Sequence, residues 1–312
     1  MIRSAAHSHG WGPPAWLLLT LAGATPTGAA GQSAPPESTT VILLGTGMPR
    51  PDPSASGPAT AIVVGRRVLL FDAGAGVMRQ VAAAGLPISG PDALFITHLH
   101  SDHTLGYPDV ILTSWVMRRH RALQVFGPPG LRAMTDHLLA AWAEDIRIRT
   151  TGLERERADD LAVSVHEIGP GIVYDSGGVR VTAIPVQHAE WPHAFAFRVD
   201  TPTRSIVLSG DTRPNEALIE AARGVDVLIH EVYAAGRLAP ENRPGGDAWP
   251  QYMRASHTSD VELGALAARV RPKLLILDHL IRMGASDEDL LAGVRAGGFT
   301  GRAVIGRDLE RY

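Results

Sequence analysis

Thr97-His98-Leu99-His100-Ser101-Asp102-His103 is the most informative stretch of the sequence, and it directly follows a short apolar segment. Three histidines and an aspartate within six residues rarely serve packing alone, whereas imidazole and carboxylate groups are good ligands for divalent metals. In an extended segment His98 and His100 point the same way, and Asp102 and His103 then turn toward a second position. The chain has no cysteine, so any metal must be held by histidine and carboxylate side chains. The stretch predicts a metal centre that suits Zn²⁺, with Mn²⁺ or Fe²⁺ as alternatives.

On both sides of this stretch, strand-like and helix-like segments alternate along the chain. Short apolar runs that end in turn residues indicate strands, and apolar residues at helical spacing indicate helices. Two successive sets of this alternation favour sheets that are covered by helices on their outer faces. The predicted strands are residues 40–45, 60–64, 67–72, 93–97, 179–186, 194–199, 205–209, 225–230, 274–278 and 303–305, and the predicted helices are residues 76–84, 107–120, 130–146, 215–222, 259–270 and 287–296.

The HxHxDH string resembles the signature of metallo-β-lactamase-fold hydrolases, and flanking motifs resemble the ribonuclease Z-like and arylsulfatase-like branch. VILLGTGMP at Val41–Pro49 is similar to the opening strand and glycine-rich turn of that branch, and LLFDAGAG ending at Gly76 is similar to its second motif. The later motifs Ser209-Gly-Asp211-Thr212 and Ile229-His230-Glu231, followed by His257 and His279, occur in the same order. The resemblance implies a four-layer αββα sandwich, an α/β (α+β) fold with the metals at one edge.

The same resemblance implies a set of seven metal ligands. Three would hold the first metal, three the second, and one carboxylate would bridge both. Other roles stay open for some of them, since His193 competes with His188, and Asp211 can simply cap the helix that follows. The implied ligands are His98, His100 and His188 for the first metal, Asp102, His103 and His279 for the second, and Asp211 as the bridge.

Such a site predicts hydrolysis by a metal-activated water. Two divalent cations about 3.5–4 Å apart can share one water and lower its pKa toward neutrality. With Asp102 and Asp211 as the carboxylate ligands, a net positive charge of about one remains and favours an anionic ester. The resemblance places a catalytic histidine at His257, whose basicity a carboxylate neighbour such as Glu231 would raise; a helix-entry role for His257 is the alternative. Asp102 is also expected to take part in catalysis. Asp72 is expected to hold loop backbone or a ligand imidazole, and a plain turn residue is the alternative.

The expected function is an exported binuclear hydrolase of a small anionic ester, either an aryl sulfate or a phosphodiester. A ribonuclease Z-like phosphodiesterase acting on RNA is one alternative, and a non-catalytic metal-binding scaffold is another. Transfer-RNA-processing ribonuclease Z enzymes carry a long insertion where only 22 residues separate His188 from Asp211 here. The net charge of −3 also disfavours nucleic acid. Expected pocket walls are Tyr107 and Trp115, the loop 190–193, and the segment 243–254, interpreted as a lid or a plain surface loop.

The N-terminus predicts export. Arg3 precedes an apolar stretch at residues 15–24 and small residues at 28–30, as in a signal peptide. The domains are therefore expected to be a signal peptide at 1–30, a flexible tether at 31–39 and the hydrolase domain at 40–312, with a periplasmic or secreted location. No other long apolar run predicts a membrane span. The expected partner is a small-molecule anionic ester, without nucleic acid, and a homodimer is possible.

Overall fold

The computed structural model describes residues 37–312, which form two β-sheets packed face to face with helices on both outer sides. This arrangement confirms the four-layer αββα sandwich. The predicted signal peptide and residues 31–36 of the predicted tether lie outside the described residues. The first strand begins at Thr39, the last residue of that predicted tether. Within residues 37–312, no helix is both long and apolar enough to cross a bilayer.

The first sheet has six strands in the order of the chain. Its first three strands pair antiparallel, and its last four pair parallel. Because parallel neighbours run in one direction, their carboxyl ends meet at the same edge of the sheet. The strands are β1 Thr39–Gly45, β2 Ala59–Val64, β3 Arg67–Phe71, β4 Ala93–Phe95, β5 Leu123–Gly127 and β6 Val163–Glu167.

The second sheet has seven strands, also in chain order, and it follows the same plan. Its first four strands pair antiparallel and its last four pair parallel. The strands are β7 Gly171–Ser176, β8 Val179–His188, β9 Trp191–Asp200, β10 Ser205–Leu208, β11 Val227–Tyr233, β12 Leu274–Ile281 and β13 Ala303–Ile305.

Helices connect the parallel strands, since a parallel pair needs a long crossover. The capping box at Ser259, whose side chain and Glu262 satisfy each other's backbone donors, marks the start of one of them. The helices are α1 Val77–Ala83, α2 Ser101–Thr104, α3 Tyr107–Val116, α4 Leu131–Ala141, α5 Ala143–Thr151, α6 Glu216–Ala221, α7 Trp249–Ser256, α8 Asp260–Val270 and α9 Asp287–Ala296.

Three hydrophobic clusters hold the four layers together. β1 shows how, because its residues alternate between two of them: Val41 and Leu43 face the second sheet, whereas Ile42 and Leu44 face α1 and α3. The cluster between the sheets includes stacked aromatic rings, with Phe71 and Phe95 4.9 Å apart. A strand that is buried on both faces is apolar throughout, which explains the uninterrupted run that was visible in the sequence.

Several predicted elements differ from the structure. β5, β6 and β7 were not predicted; β6 and β7 are edge strands with partly exposed residues, so their hydrophobic alternation is weak. The predicted helix 130–146 is two helices, α4 and α5, separated at Trp142. The segment 243–254 ends in α7, which begins with Trp249-Pro250, and proline is well tolerated in a first helical turn.

A tight backbone contact holds the turn that follows β3. Gly57 N–H donates to the Ala75 carbonyl oxygen (3.0 Å), and Gly74 N–H donates to the Pro58 carbonyl oxygen (2.9 Å). A Cβ atom on Gly74 would lie 2.2 Å from the Gly57 carbonyl carbon, which no relaxation of a side chain can relieve. Only glycine therefore fits at this position, and the turn carries Asp72 toward the metal-ligand segment.

We expect Gly74→Ala to lower the free energy of unfolding by about 3 kcal/mol, because the added methyl group must push two backbone segments apart. Urea unfolding followed by circular dichroism measures this change. Gly169→Ala is the matched control, since a Cβ there meets no atom within 4 Å. Equal stability of the two variants would contradict the tight contact.

Candidate metal centre

The first sheet delivers four of the predicted ligands on one short segment. β4 ends at Phe95, and the chain then passes through His98 and His100 into α2, which carries Asp102 and His103. Three of these four side chains are buried, and His100 is half-buried. The helical turn directs Asp102 and His103 away from the HxH pair, as the spacing indicated.

The second sheet delivers the other three ligands from separate strands. His188 is the last residue of β8, and Asp211 lies three residues beyond the end of β10. His279 lies within β12 at a bulge, where Asp278 pairs with β11 and His279 is skipped by the register. Its φ of 43° is left-handed, and a bulge of this kind redirects a side chain. His279 points toward the first sheet for this reason.

The first cluster consists of His98, His100, His188 and Asp211. His100 Nδ1 lies 3.0 Å from both His98 Nε2 and His188 Nε2. Asp211 Oδ2 lies 3.9 Å from His98 Nε2 and 4.0 Å from His188 Nε2. Three imidazole nitrogens and one carboxylate oxygen thus converge on one point. The alternative candidate His193 is exposed and does not belong to this cluster.

The second cluster consists of Asp102, His103 and His279, and Asp211 joins it to the first. His279 Nε2 lies 3.2 Å from Asp102 Oδ2, and His103 Nε2 lies 3.6 Å from the same oxygen. Asp211 Oδ1 lies 3.4 Å from His103 Nε2, and Asp211 Oδ2 lies 3.6 Å from His279 Nε2. The Asp211 carboxylate therefore faces both clusters, which is the position of a bridging ligand.

The polar atoms at the centre fit divalent cations. Among the described residues, His103 Nε2 and Asp211 Oδ1 are buried without a hydrogen-bond partner, and such atoms normally find one. The outer nitrogens of two ligands are already fixed. His188 Nδ1 donates to the Ser256 carbonyl oxygen (2.8 Å), and His103 Nδ1 donates to Asp72 Oδ2 (2.8 Å). These contacts leave the inner nitrogens free for a metal, as in other histidine sites.

Asp72 holds the segment as well as the ligand. Its carboxylate accepts hydrogen bonds from the Thr97 backbone N–H (2.8 Å) and the Thr97 hydroxyl group (2.9 Å to Oδ2), besides the one from His103. Both roles suggested by its position in the sequence, support of loop backbone and support of an imidazole, are present together.

The two clusters have opposite electrostatic character. Burial lowers the pKa of His98 well below its ordinary value and that of His100 to about 4. In the second cluster burial opposes protonation too, but the carboxylates of Asp211 and Asp72 outweigh it and raise the pKa of His103. The pKa of His279 rises to about 9 against burial, because Asp211 and Asp102 face it. Protons on the second cluster thus balance Asp211, and cation binding there would release them.

The family described as "Beta-lactamase superfamily domain" matches residues 66–280. A protein named ribonuclease Z from Mycobacterium marinum is 36% identical over 280 residues, covering 87% of this chain and 97% of the relative. A ribonuclease Z from Mycobacterium bovis is 33% identical over 277 residues, covering 87% and 96%. This chain belongs to the metallo-β-lactamase superfamily, in its ribonuclease Z-like branch.

Solved structures show the same metallo-β-lactamase fold. The metallo-β-lactamase fold protein YhfI from Bacillus subtilis has a TM-score of 0.66 at 19% identity, covering 88% of this chain and 99% of that one. The short form of human tRNase Z has a TM-score of 0.64 at 21% identity, covering 88% of this chain and 98% of that one. Metallo-β-lactamase-fold enzymes are binuclear and metal-dependent, and the two clusters in this chain suit that chemistry.

The expectation that nucleic acid is not a partner is contradicted, because relatives that match nearly their whole length are named ribonuclease Z. The lack of a long insertion between His188 and Asp211 does not separate this chain from ribonuclease Z, contrary to the expectation. The Mycobacterium marinum alignment is 280 positions long and covers 97% of that protein, so the relative has no room for a long insertion. The short β9–β10 connection at Thr201–Arg204 therefore does not separate this superfamily member from proteins of that name.

His257 and Glu231 form the expected couple, but its protonation differs from the expectation. His257 Nδ1 lies 3.1 Å from both Glu231 carboxylate oxygens, and the backbone N–H groups of Thr212 and Thr258 also donate to Glu231. Burial lowers the pKa of His257 to about 4. Burial and the nearby Asp211 raise the pKa of Glu231. The burial of the His257 ring outweighs the nearby carboxylates, so His257 is neutral, with its proton on Nδ1.

Trp191 has a role that the sequence did not reveal. Its indole N–H points at His100 Nε2 at 2.7 Å, so the indole ring packs directly against a residue of the first cluster.

Two of the expected pocket walls are not at the site. Tyr107 is fully buried and shares a hydrogen bond with Thr135 (2.7 Å), and Trp115 is buried and donates to the Arg157 carbonyl oxygen. Their helix packs its aromatic side into the core rather than toward the metals. Residues 190–192 of the expected loop and Tyr252 do lie at the site, where they border a cavity beside His100.

We expect the reconstituted protein to bind about two zinc ions per chain, and Asp211→Ala to weaken both sites because its carboxylate faces both clusters. His279→Ala should release only one ion. Inductively coupled plasma mass spectrometry after dialysis against a zinc buffer measures the content. His120→Ala is the control, since His120 is exposed, pairs with Asp160 and belongs to neither cluster. An unchanged zinc content in Asp211→Ala would refute the bridging position.

His230 predicts a specific acid sensitivity of the metal-free protein. It is fully buried, its Nδ1 donates to the Glu231 carbonyl oxygen (2.8 Å), and burial lowers its pKa to about 4. The unfolded chain, with a His pKa of about 6.5, binds the proton more readily between these values, so stability falls as the pH decreases through this window. From pH 7 to pH 5 this contribution amounts to about 2 kcal/mol.

His230→Asn keeps an N–H donor and removes the titrating group. Urea unfolding in the presence of EDTA should show the free energy of the parent chain falling by about 2 kcal/mol more than that of the variant between pH 7 and pH 5. If the free energy of unfolding of the parent chain and that of the variant decrease equally between pH 7 and pH 5, His230 does not titrate as described.

Proposed function

We propose that this chain is a binuclear metal-dependent phosphodiesterase that cleaves RNA. The observation that carries the proposal is the position of Asp211 between two ligand clusters, with the His257–Glu231 couple next to it: His257 Nδ1 lies 3.9 Å from Asp211 Oδ2. The ribonuclease Z name of the relatives supports RNA as the substrate. Imidazole and carboxylate ligands without thiolate support Zn²⁺ as the resident metal.

The residues of the chain divide the work. Bound metals would supply an activated water and neutralise charge on the phosphodiester. Glu231 holds the His257 ring through Nδ1. The backbone N–H groups of Thr212 and Thr258 hold the Glu231 carboxylate in turn. The negative charge of a bound phosphodiester favours protonation of His257. Nε2 then holds the proton that the leaving oxygen needs, which is general acid catalysis.

A groove beside the clusters supports a polyanionic substrate. It has a volume of about 990 Å³, and it is bordered by the β1–β2 connection, the loop before α7 and the residues that follow His279. Five arginines and three carboxylates line it, and four of these arginines are in ion pairs with carboxylates. Among residues 37–312, Arg50 has no carboxylate within ion-pair distance. Phosphate binding depends on such local clusters rather than on net charge. The five arginines are Arg50, Arg237, Arg243, Arg282 and Arg307.

The small-ester interpretation receives less support. The relatives do not support a sulfatase, because those reported above are named ribonuclease Z. Export remains a prediction, since residues 1–30 lie outside the described part of the chain. A non-catalytic scaffold is the remaining alternative. Turnover of a phosphodiester by the metallated protein would exclude it, and its absence would favour it.

We expect the zinc-reconstituted protein to cleave an unstructured RNA oligonucleotide or a tRNA precursor with a 3′ extension, and His257→Ala to lower kcat by about 10²–10⁴-fold. The zinc content of the variant should not change, because His257 is not among the clustered ligands. Gel analysis of end-labelled RNA measures the rate, and His120→Ala is the control.

Two outcomes would count against this proposal. Loss of zinc from His257→Ala would mean that His257 holds metal rather than a proton. A fully metallated protein that leaves every RNA intact would favour the scaffold.

A further inference from the structure

A second, smaller cavity opens directly beside the first metal cluster. Its volume is about 290 Å³, and it is bordered by His100, by the β8–β9 turn and by Tyr252 of α7. Small-molecule pockets span roughly 300–1,000 Å³, so this slot accommodates one planar group rather than a duplex. The six residues that line it are His100, Ala189, Glu190, Trp191, Pro192 and Tyr252.

The two aromatic walls of the slot are held in place. The Trp191 ring lies 4.8 Å from the His100 ring, nearly perpendicular to it at 81°. Tyr252 stacks on Trp249 at 5.5 Å, and its ring lies 5.9 Å from that of His257. Both rings remain partly exposed. Aromatic surface that is fixed and partly exposed at the mouth of a catalytic site offers a stacking face to a ligand.

Two hydrogen bonds set the distance between the walls. Ala189 N–H donates to the Ala255 carbonyl oxygen (3.1 Å), and His188 Nδ1 donates to the Ser256 carbonyl oxygen (2.8 Å). These bonds tie the β8–β9 turn to the end of α7. Ala189 has a φ of 42°, a left-handed conformation that costs energy for a residue other than glycine. The turn that presents Glu190 and Trp191 is therefore held by its surroundings rather than by its own preference.

The charge of the slot disfavours a phosphate group. The slot contains no lysine or arginine, and Glu190 is exposed at its mouth. A carboxylate repels phosphate but accepts hydrogen bonds from amino groups. The arginines line the separate groove, which Trp249, stacked on Tyr252, also borders. The groove therefore suits phosphate groups, and the slot suits a group that donates hydrogen bonds to Glu190.

We propose that the slot between Trp191 and Tyr252 binds the unpaired base of a nucleotide adjoining the scissile phosphate, with Glu190 accepting from its amino group. This rests on the proposed RNA substrate. Single-stranded RNA is recognised by stacking of splayed bases on aromatic side chains and by hydrogen bonds to their edges. Cytosine, adenine and guanine carry an exocyclic amino group for Glu190, and uracil does not.

The test compares chromogenic phosphodiesters that differ only in the base. The substrates are the p-nitrophenyl esters of the four nucleoside 5′-monophosphates, and methyl p-nitrophenyl phosphate is the ester without a base. With the zinc-reconstituted protein, kcat/KM should be higher for the nucleoside esters than for the base-free ester. Trp191→Ala should lower the ratio of kcat/KM for the nucleoside esters to kcat/KM for the base-free ester by about tenfold, mainly through KM. Trp191→Phe should retain most of this ratio.

Glu190→Gln tests the edge contact, because an amide can both donate and accept. In this variant, the ratio of kcat/KM for the cytidine, adenosine and guanosine esters to kcat/KM for the uridine ester should fall toward one. Trp142→Ala is the matched control for the tryptophan variants, since Trp142 is exposed between α4 and α5. Zinc content is measured in every variant, because Trp191 contacts His100.

The results separate the slot from the proposed function. If Trp191→Ala lowers kcat/KM equally for nucleoside and base-free esters, Trp191 acts through His100 and the base slot is refuted. If the wild-type chain cleaves no phosphodiester, the proposed function fails, and a fluorescence titration of the metallated protein with AMP, CMP, GMP and UMP then decides the slot. Quenching that is present in the wild-type chain and absent in Trp191→Phe supports it, and no quenching in either refutes it.

Discussion

The structure depends on one electrostatic constraint, the convergence of imidazole nitrogens and carboxylates in a space that water barely reaches. Asp211 is the central group, because its carboxylate faces both clusters. The pKa of Asp211 is lowered against a strong burial effect because protonated His279 and His103 face it, whereas His98 and His100 of the first cluster stay neutral. A buried charge needs a partner of opposite sign, so protons in the metal-free protein and cations in the metallated protein serve the same electrostatic need. The αββα sandwich supplies the frame, because the parallel strands of both sheets end at this edge.

Contiguous residues made the site predictable, and distant ones limited the prediction. His98 to His103 stand on one segment, so their spacing alone indicated a metal centre. His279 reaches the second cluster only because β12 has a bulge, and a single residue with a left-handed φ leaves no mark in a hydrophobic pattern. Trp115 illustrates the opposite error, since its position after the cluster suggested a wall, whereas its helix turns it into the core. Edge strands such as β7 were missed because half of their surface is exposed.

The protonation of the His257–Glu231 couple and the choice of partner were misjudged for a related reason, because both depend on surroundings that the sequence does not show. Glu231 stands beside His257 as expected, yet both are buried, and burial overrides the usual effect of a carboxylate on a histidine. Similarly, a net charge of −3 describes the whole surface, whereas a polyanion meets only one face. Five arginines from four separate segments border the groove. They do not form a contiguous basic run, so the sequence alone does not indicate them.

Three residues other than glycine adopt left-handed conformations around the clusters: Asp72 at φ 58°, Ala189 at 42° and His279 at 43°. Each is a ligand, supports one or follows one in the chain. Strain of this kind costs of order 1–3 kcal/mol per residue and persists only where surrounding contacts enforce it. Hydrogen bonds to Thr97 hold Asp72, and the bond to Ala255 holds Ala189. In the metal-free protein the same contacts also hold converging nitrogens together. Cations that satisfy those nitrogens therefore stabilise the folded chain, which couples metal affinity to the integrity of this edge of the sandwich.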